Sequence, residues 1–199
     1  MQANESAVPF AESTPLGLLG LAIGCAALTP VAFGVAVTSD ALRTAAWFCL
    51  LFGGGGQFLA GMMALANKNM LGGTLFTIFS FNWVMNWWAL SELSQGRAPN
   101  AAVVFSVDVC FLVVFLVLTY AFGFFSKLLF AFLLDVDLLY ALRIARHLTH
   151  MKELALPVAV CTVLLAGIAL WIAFGMLVNP AAGRDVFKMP GPMFAPKVG

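Results

Sequence analysis

Ionisable and amide side chains inside apolar stretches are the residues of this chain that could do chemistry. Asp108, Asp135 and Asp137 lie within runs of Leu, Val, Phe and Ala, and Gln57 follows four consecutive glycines. A charged group at membrane depth is energetically expensive and usually functional. The amide of Gln57 has two interpretations: it lines a polar pathway and donates to an anion, or it bonds to a neighbouring helix. The roles of the three acids stay open.

Basic side chains recur at helical spacing after Asp137. Arg143 is followed three and four residues later by Arg146 and His147, and His150 follows His147 by three. Such spacing places them along one stripe of a helix, close to its C-terminus, where the helix dipole favours cations. The stripe has three interpretations. It is a solvated edge that binds lipid phosphates, a cation-lined mouth that attracts carboxylates, or a contact with another protein.

Metal, cofactor and enzyme chemistry have little support in the sequence. The two histidines lie in the stripe without a third, and the four cysteines have no C-x-x-C spacing. We interpret these cysteines (Cys25, Cys49, Cys110 and Cys161) as small apolar residues. No nucleophile–base pair or phosphate-binding loop is evident. We therefore predict no catalytic residue, no metal, no cofactor and no enzymatic activity.

Composition indicates a membrane protein. Hydrophobic residues make up 62% of the chain and charged residues 10%, with a mean hydropathy of +1.00. Soluble domains carry about 25% charged residues. The net charge of +1, without a basic run, gives no reason to expect a nucleic-acid partner. The polar, acidic start of the chain argues against a cleaved signal peptide.

Six apolar segments are each long enough to cross a membrane, which takes about 20 residues of helix. They lie near 16–37, 42–66, 70–91, 101–124, 127–148 and 155–178. We predict an all-α polytopic fold with six transmembrane helices per protomer, covering 16–178, between a polar segment (1–15) and a tail (179–199). An even number of spans places both termini on one side, but the distribution of Lys and Arg does not decide which.

The stretch Gly53–Trp83 predicts a tightly packed helix pair. Small residues lie before and after a polar break at 67–69, and small residues allow helix backbones to approach closely in a membrane. An aromatic run ends the stretch, and Trp83, Trp87 and Trp88 are typical of an interfacial aromatic belt.

The order of these parts resembles the acetate uptake transporter family, also called the succinate–acetate permeases. The matching pattern is G-G-x-x-Q-x-x-A-G from Gly53, then Asn69, then G-x-T-x-F-T from Gly72, and a Trp. The first helix opens with Pro15-Leu16-Gly17-Leu18, the end of the family signature N-P-A-P-L-G-L. Glu12, Ser13 and Thr14 replace the first three residues of that signature, and Ala64 stands where the family commonly has an acid.

The resemblance implies a homo-hexameric channel or transporter for small monocarboxylates such as acetate, with succinate as a further candidate substrate and one pathway per protomer. It implies a cell-membrane location, the inner membrane if the source is bacterial, with cytoplasmic termini. Substrate and membrane lipid are the expected partners besides other copies of the chain. The residues assigned to the substrate pathway are Gln57, Asn69, Thr74, Pro15 and Gly17. The constriction maps to Leu21, Phe79 and Val136. In the interpretation of the basic stripe as a cation-lined mouth, which comes from the residues themselves, Arg143, Arg146 and His147 attract the anion. The departures from the family pattern favour one alternative, a non-transporting structural or assembly subunit of a membrane complex.

Overall fold

The computed structural model describes residues 9–195, and within this range the chain forms six long helices and no strand. They are α1 (Thr14–Ala32), α2 (Ser39–Ala66), α3 (Met70–Ser94), α4 (Ala101–Phe122), α5 (Lys127–Thr149) and α6 (Ala155–Ala182). The predicted all-α fold with six helices is confirmed. The outer parts of the two predicted terminal segments, 1–8 and 196–199, lie outside the described residues.

Short polar residues start several of the helices. The side chain of Thr38 caps α2, Asn69 caps α3, Asn100 caps α4 and Ser126 caps α5, each accepting a backbone N–H of the first turn. Such caps satisfy amides that have no partner inside the helix. At the start of α1 the side chain of Ser13 makes no such cap. The Ser13 hydroxyl instead donates to the Ala60 carbonyl of α2 (2.9 Å), so it ties two helices together.

The first helix ends at Ala32 instead of near residue 37. The carbonyl of Pro30 accepts from the amides of Val35 and Ala36, at 2.9 and 3.0 Å, which folds the chain back on the helix end. Gly34 takes a φ of +73° in this turn, a conformation that glycine adopts without steric cost.

Glycines bring α1 and α2 into backbone contact. The middle of α2, Cys49–Gly56, winds as a π-helix that contains the four consecutive glycines. A Cβ atom added to Gly20 of α1 would lie 2.5 Å from the carbonyl oxygen of Phe52. Gly61 makes a similar contact with α3, where a Cβ atom would lie 2.5 Å from Oγ1 of Thr77.

Consecutive helices run in opposite directions, because the connections are short and the helices pack side by side. α1 packs on α2 and α6, α3 on α2, and α5 between α4 and α6. The starts of α1, α3 and α5 therefore lie on the side that we call the terminal side. The ends of these helices, including Arg143 and Arg146, lie on the opposite side, which we call the arginine side.

The chain after α6 folds back over the terminal side. α6 extends beyond residue 178, where the sequence predicts its end. Its last helical residue is Ala182, and Gly183 caps it with a φ of +63°. The Asn179 side chain then accepts from the amides of Val186 and Phe187 and donates to the Phe187 carbonyl (2.7 Å). Further along, the amides of Met193 and Phe194 both donate to the Gly123 carbonyl, so the tail is fixed to the α4–α5 connection.

Among residues 9–195, four of the six helices are long and apolar enough to cross a membrane. Their mean hydropathies over an 18-residue window range from 1.6 to 2.8. The other two, α3 and α5, are equally long but carry more polar side chains. Both of these helices, together with α1, contribute to the two internal cavities described below.

Candidate functional site

Two cavities lie inside the bundle, one toward each side. The arginine-side cavity, about 280 Å³, is enclosed by α1, α3, α5 and α6 and includes Arg143 and Arg146 in its wall. The terminal-side cavity, about 150 Å³, lies between α1, α3, α4 and α5 and includes Thr14 and Asn69. The same three helices, α1, α3 and α5, contribute to both cavities.

An apolar layer separates the two cavities. Leu18 lines the terminal-side cavity and Cys25 lines the arginine-side cavity, so Leu21, which lies between them on α1, falls at the boundary. On α3 the boundary passes between Phe76 and Phe79, since each lines a different cavity.

The residues assigned to the constriction are at this layer and almost wholly buried. Leu21 is 0% exposed, Phe79 4% and Val136 2%, and the last two line the arginine-side cavity. The Phe79 ring centroid lies 4.6 Å from that of Phe115 and 6.3 Å from that of Phe132. These packed rings lie between the residues that line the two cavities.

The residues of the basic stripe have different surroundings in the folded protein. Arg143 donates to Asp108 of α4 at 3.0 Å, and its guanidinium carbon lies 5.4 Å from the centroid of the Tyr140 ring. Arg146 is exposed, lines the arginine-side cavity and makes no ion pair among residues 9–195. His147 lies outside both cavity walls and stacks on Phe105 of α4, with ring centroids 4.6 Å apart.

The residues assigned to the substrate pathway are only partly brought together. Asn69 lines the terminal-side cavity, and its Oδ1 accepts the Gly72 amide at 2.9 Å. Gln57 is 0% exposed, and neither atom of its amide has a hydrogen-bond partner among the described residues. Gln57 and Thr74 are absent from the walls of both cavities.

The opening of α1 is packed rather than open to a cavity. Pro15 and Gly17 are buried and line neither cavity. A Cβ atom on Gly17 would lie 2.5 Å from the Phe76 ring, so this glycine allows α1 to approach α3. These residues shape the wall behind Phe76.

Sequence reasoning missed several polar residues of the arginine-side cavity: Asn82, Trp83, Asn86, Tyr140 and Thr162. The spacing of Phe79, Asn82 and Asn86 by three and four residues was a usable signal, because it places them on one face of α3. Trp83 also differs from the predicted aromatic belt, since it is 3% exposed and packs against Gly53.

The acids in the middle of α5 face other helices. Asp137 accepts from the Thr119 hydroxyl of α4 at 2.6 Å, and Asp135 is hydrogen bonded to Cys161 of α6. Both are buried, and neither lines the two cavities. Among the described residues no three His, Cys, Asp or Glu side chains are grouped so as to hold a metal ion.

Comparison with known proteins found a similar solved structure. No protein-family model matches the sequence, and no curated protein matches it. The structure of the bacterial acetate channel SatP matches with a TM-score of 0.80 and 22% sequence identity. The chain has the fold of that channel. The match covers 90% of this chain and 99% of the channel, so it includes the whole helical bundle.

Proposed function

We propose that this protein is a membrane channel or transporter for small monocarboxylates such as acetate, and a member of the acetate uptake transporter family. One observation carries the proposal: the bundle has the fold of an acetate channel and holds a cavity on each side of a single apolar layer. The motif order of Gly53–Trp83 supports the same family.

Charge explains how the substrate enters from the arginine side. A small carboxylic acid has a pKa near that of Glu, about 4.3, so at neutral pH it is almost wholly an anion. Because Asp108 neutralises Arg143, the charge that attracts this anion comes chiefly from Arg146 at the mouth. Attraction by an exposed charge raises the local substrate concentration and is weakened by salt.

The apolar layer explains why the substrate is small. Leu21, Phe79 and Val136 offer no hydrogen bonds, so a hydrated ion meets a barrier there, as in other hydrophobic constrictions. A monocarboxylate must desolvate one charged group to pass. Succinate must desolvate two, and we therefore propose that acetate is preferred over succinate.

Assembly and location follow the family resemblance. We propose a homo-hexamer in the cell membrane, with a pathway in each protomer and cytoplasmic termini. Large apolar side chains cover the outside of the bundle, among them Leu51, Val113 and Leu164, which suit contact with lipid or with another protomer.

Uptake of labelled acetate into proteoliposomes tests the proposal. Purified protein should give saturable acetate uptake above that of protein-free liposomes, and unlabelled acetate should compete better than succinate. Complete absence of carboxylate uptake, with either sign of pH gradient, would overturn the channel proposal. A structural or assembly subunit would then be the better description, and a heteromeric native mass would support it.

A further inference from the structure

Two hydrogen-bond donors in the wall of the arginine-side cavity have no acceptor. Trp83 is 3% exposed and Tyr140 2%, and both residues line this cavity. Among the described residues, neither the indole Nε1 of Trp83 nor the hydroxyl of Tyr140 has a hydrogen-bond partner. A buried donor left unpaired is unfavourable, so each residue is expected to find an acceptor in the working protein.

Two other polar side chains of the cavity already use their donors. Nδ2 of Asn86 donates to the Asn82 carbonyl at 3.0 Å, and the Thr162 hydroxyl donates to the Val158 carbonyl at 3.0 Å. Among the described residues of this wall, the fully buried polar atoms without a partner belong to Trp83, which can only donate, and Tyr140, whose hydroxyl donates readily. Arg146, which has no ion pair among the described residues, adds positive charge to the same wall. This set of groups suits a ligand that accepts hydrogen bonds and is negatively charged.

Both donors are held in place by tight packing. A Cβ atom on Gly24 would lie 2.9 Å from Cη2 of Trp83, and Gly53 lies against the indole near Cδ2, so two glycines form the slot for this side chain. The Tyr140 ring stacks on Phe111 and Phe115 of α4, with centroids 5.5 Å apart in each pair. Donors fixed before the ligand arrives lose little entropy when it binds.

We propose that Trp83 and Tyr140 form a carboxylate-binding subsite on the arginine side of the apolar layer, donating from Nε1–H and O–H to the carboxylate oxygens. This inference rests on the proposed function and gives that pathway its binding residues. The anion that Arg146 attracts exchanges part of its hydration for these two donors before it reaches Phe79.

The rest of the wall sets which acid fits. Leu28, Val31 and Leu165 are apolar and line the same cavity. They suit a short aliphatic tail, whereas a second carboxylate placed against these three side chains would be desolvated. The subsite therefore selects monocarboxylates over dicarboxylates of similar length.

Conservative removal of each donor tests the subsite in proteoliposomes. Tyr140→Phe deletes only the hydroxyl and Trp83→Phe deletes the indole N–H. Each should raise the apparent KM for acetate about tenfold, as loss of a hydrogen bond to a charged group does, with the maximal rate largely kept. The double variant should fall short of the product of the two effects, since both donors act on one carboxylate.

Matched substitutions outside the cavity provide the controls. Trp47→Phe on α2 and Tyr120→Phe on α4 change exposed side chains that do not line the arginine-side cavity, and should leave the KM unchanged. Acetate should also raise the unfolding temperature of detergent-solubilised wild type, and raise that of Tyr140→Phe less. Because Trp83→Phe alters a packed side chain, Tyr140→Phe decides the matter if the Trp83 variant does not fold.

The outcomes separate this inference from the proposed function. A wild type that takes up no carboxylate overturns the proposed function and this subsite with it. A wild type that takes up acetate while a folded Tyr140→Phe keeps its KM and its acetate-dependent stabilisation overturns the subsite alone. A lowered unfolding temperature without a change in KM would show that the two side chains only pack.

Discussion

At the scale of single residues, pairing decides which of the basic side chains can act on a substrate. Arg143 lies 3.0 Å from Asp108, so its charge is balanced inside the protein. Arg146, one turn further on, is exposed and has no ion pair among the described residues. The two arginines are alike in the sequence, but they contribute differently to the field at the mouth of the cavity.

Two substitutions at this mouth should move the apparent KM in opposite directions. Arg146→Gln removes the unpaired charge and should raise the KM for acetate about two- to fivefold at low salt. Asp108→Asn leaves the charge of Arg143 unbalanced beside the cavity and should lower it. Measured in liposomes at rising ionic strength, both differences should shrink, because the screening length is about 8 Å at physiological salt.

Asp40→Asn is the control for these charge changes. It removes a negative charge from the first turn of α2, on the same side of the bundle but outside the cavity wall. The KM should stay near that of wild type. If Asp40→Asn lowered the KM as much as Asp108→Asn, net surface charge would explain the effect and the Arg143–Asp108 pair would have no special part.

The side chain of Phe79 should control the size of the acids that pass. Its ring packs between those of Phe115 and Phe132 in the apolar layer, so Phe79→Ala opens space there. We expect acetate uptake to be kept or raised and larger carboxylates such as succinate to be admitted, while Phe79→Trp suppresses both. Phe81→Ala on the exposed face of the same helix should leave selectivity unchanged. Unaltered selectivity in folded Phe79→Ala would place the gate elsewhere.

At the scale of helices, close approach of backbones depends on which glycine faces which atom. A Cβ atom on Gly20 would lie 2.5 Å from a backbone oxygen of α2, whereas one on Gly56 would lie 3.5 Å from Gly20, an ordinary contact. Gly20→Ala should therefore destabilise the protein by ~1–3 kcal/mol, the usual effect of overpacking. Gly56→Ala should be nearly neutral. Thermal unfolding in detergent compares the two variants. Equal losses of stability would mean that the backbones of α1 and α2 are not in contact at Gly20.

The helices themselves could be predicted from the sequence, but which of their faces pack against one another could not. The apolar segments of the sequence located all six helices, because a spanning helix must satisfy its backbone internally and be apolar over about 20 residues; among residues 9–195, four of the six meet that standard by hydropathy. Trp83 shows the limit. Within its own run of aromatic residues it is typical of a membrane interface, and only the packed structure brings Gly24 and Gly53 from two other helices against it.

The same limit applies to the candidate site. Family resemblance pointed to Leu21, Phe79 and Val136, and the structure places all three at the apolar layer, where their role as a constriction stays a prediction. The ion pair between Asp108 and Arg143 could not be predicted in this way. Asp108 and Arg143 are thirty-five residues apart in the sequence (143 − 108), and no local pattern joins them. Their pairing depends on how α4 packs against α5.

At the scale of the whole molecule, the exposed face of α2 is a candidate contact between protomers. α2 presents Leu51 and Leu59 outward, 60% and 54% exposed, with Gly55 exposed between them. A Cβ atom on Gly55 would have only the Leu50 carbonyl oxygen within 4 Å, at 3.7 Å, so this glycine is not needed for packing inside the protomer. Exposed glycines between large apolar residues suit close contact between membrane helices of neighbouring protomers.

If the proposed hexamer assembles through this face of α2, native mass spectrometry from mild detergent should report six copies of this chain. Gly55→Leu should then shift the population to smaller species while each protomer stays folded.

Gly61→Leu acts differently, because Gly61 contacts Thr77 within the protomer. This variant should lower helical content or thermal stability before assembly is affected. Gly167→Leu places the same bulk on the exposed face of α6, where no atom lies within 4 Å of a Cβ, and should keep the hexamer. A wild type that is monomeric, or that purifies only with a different chain, would contradict the hexamer. Loss of the hexamer in Gly167→Leu with its retention in Gly55→Leu would move the interface from α2 to α6.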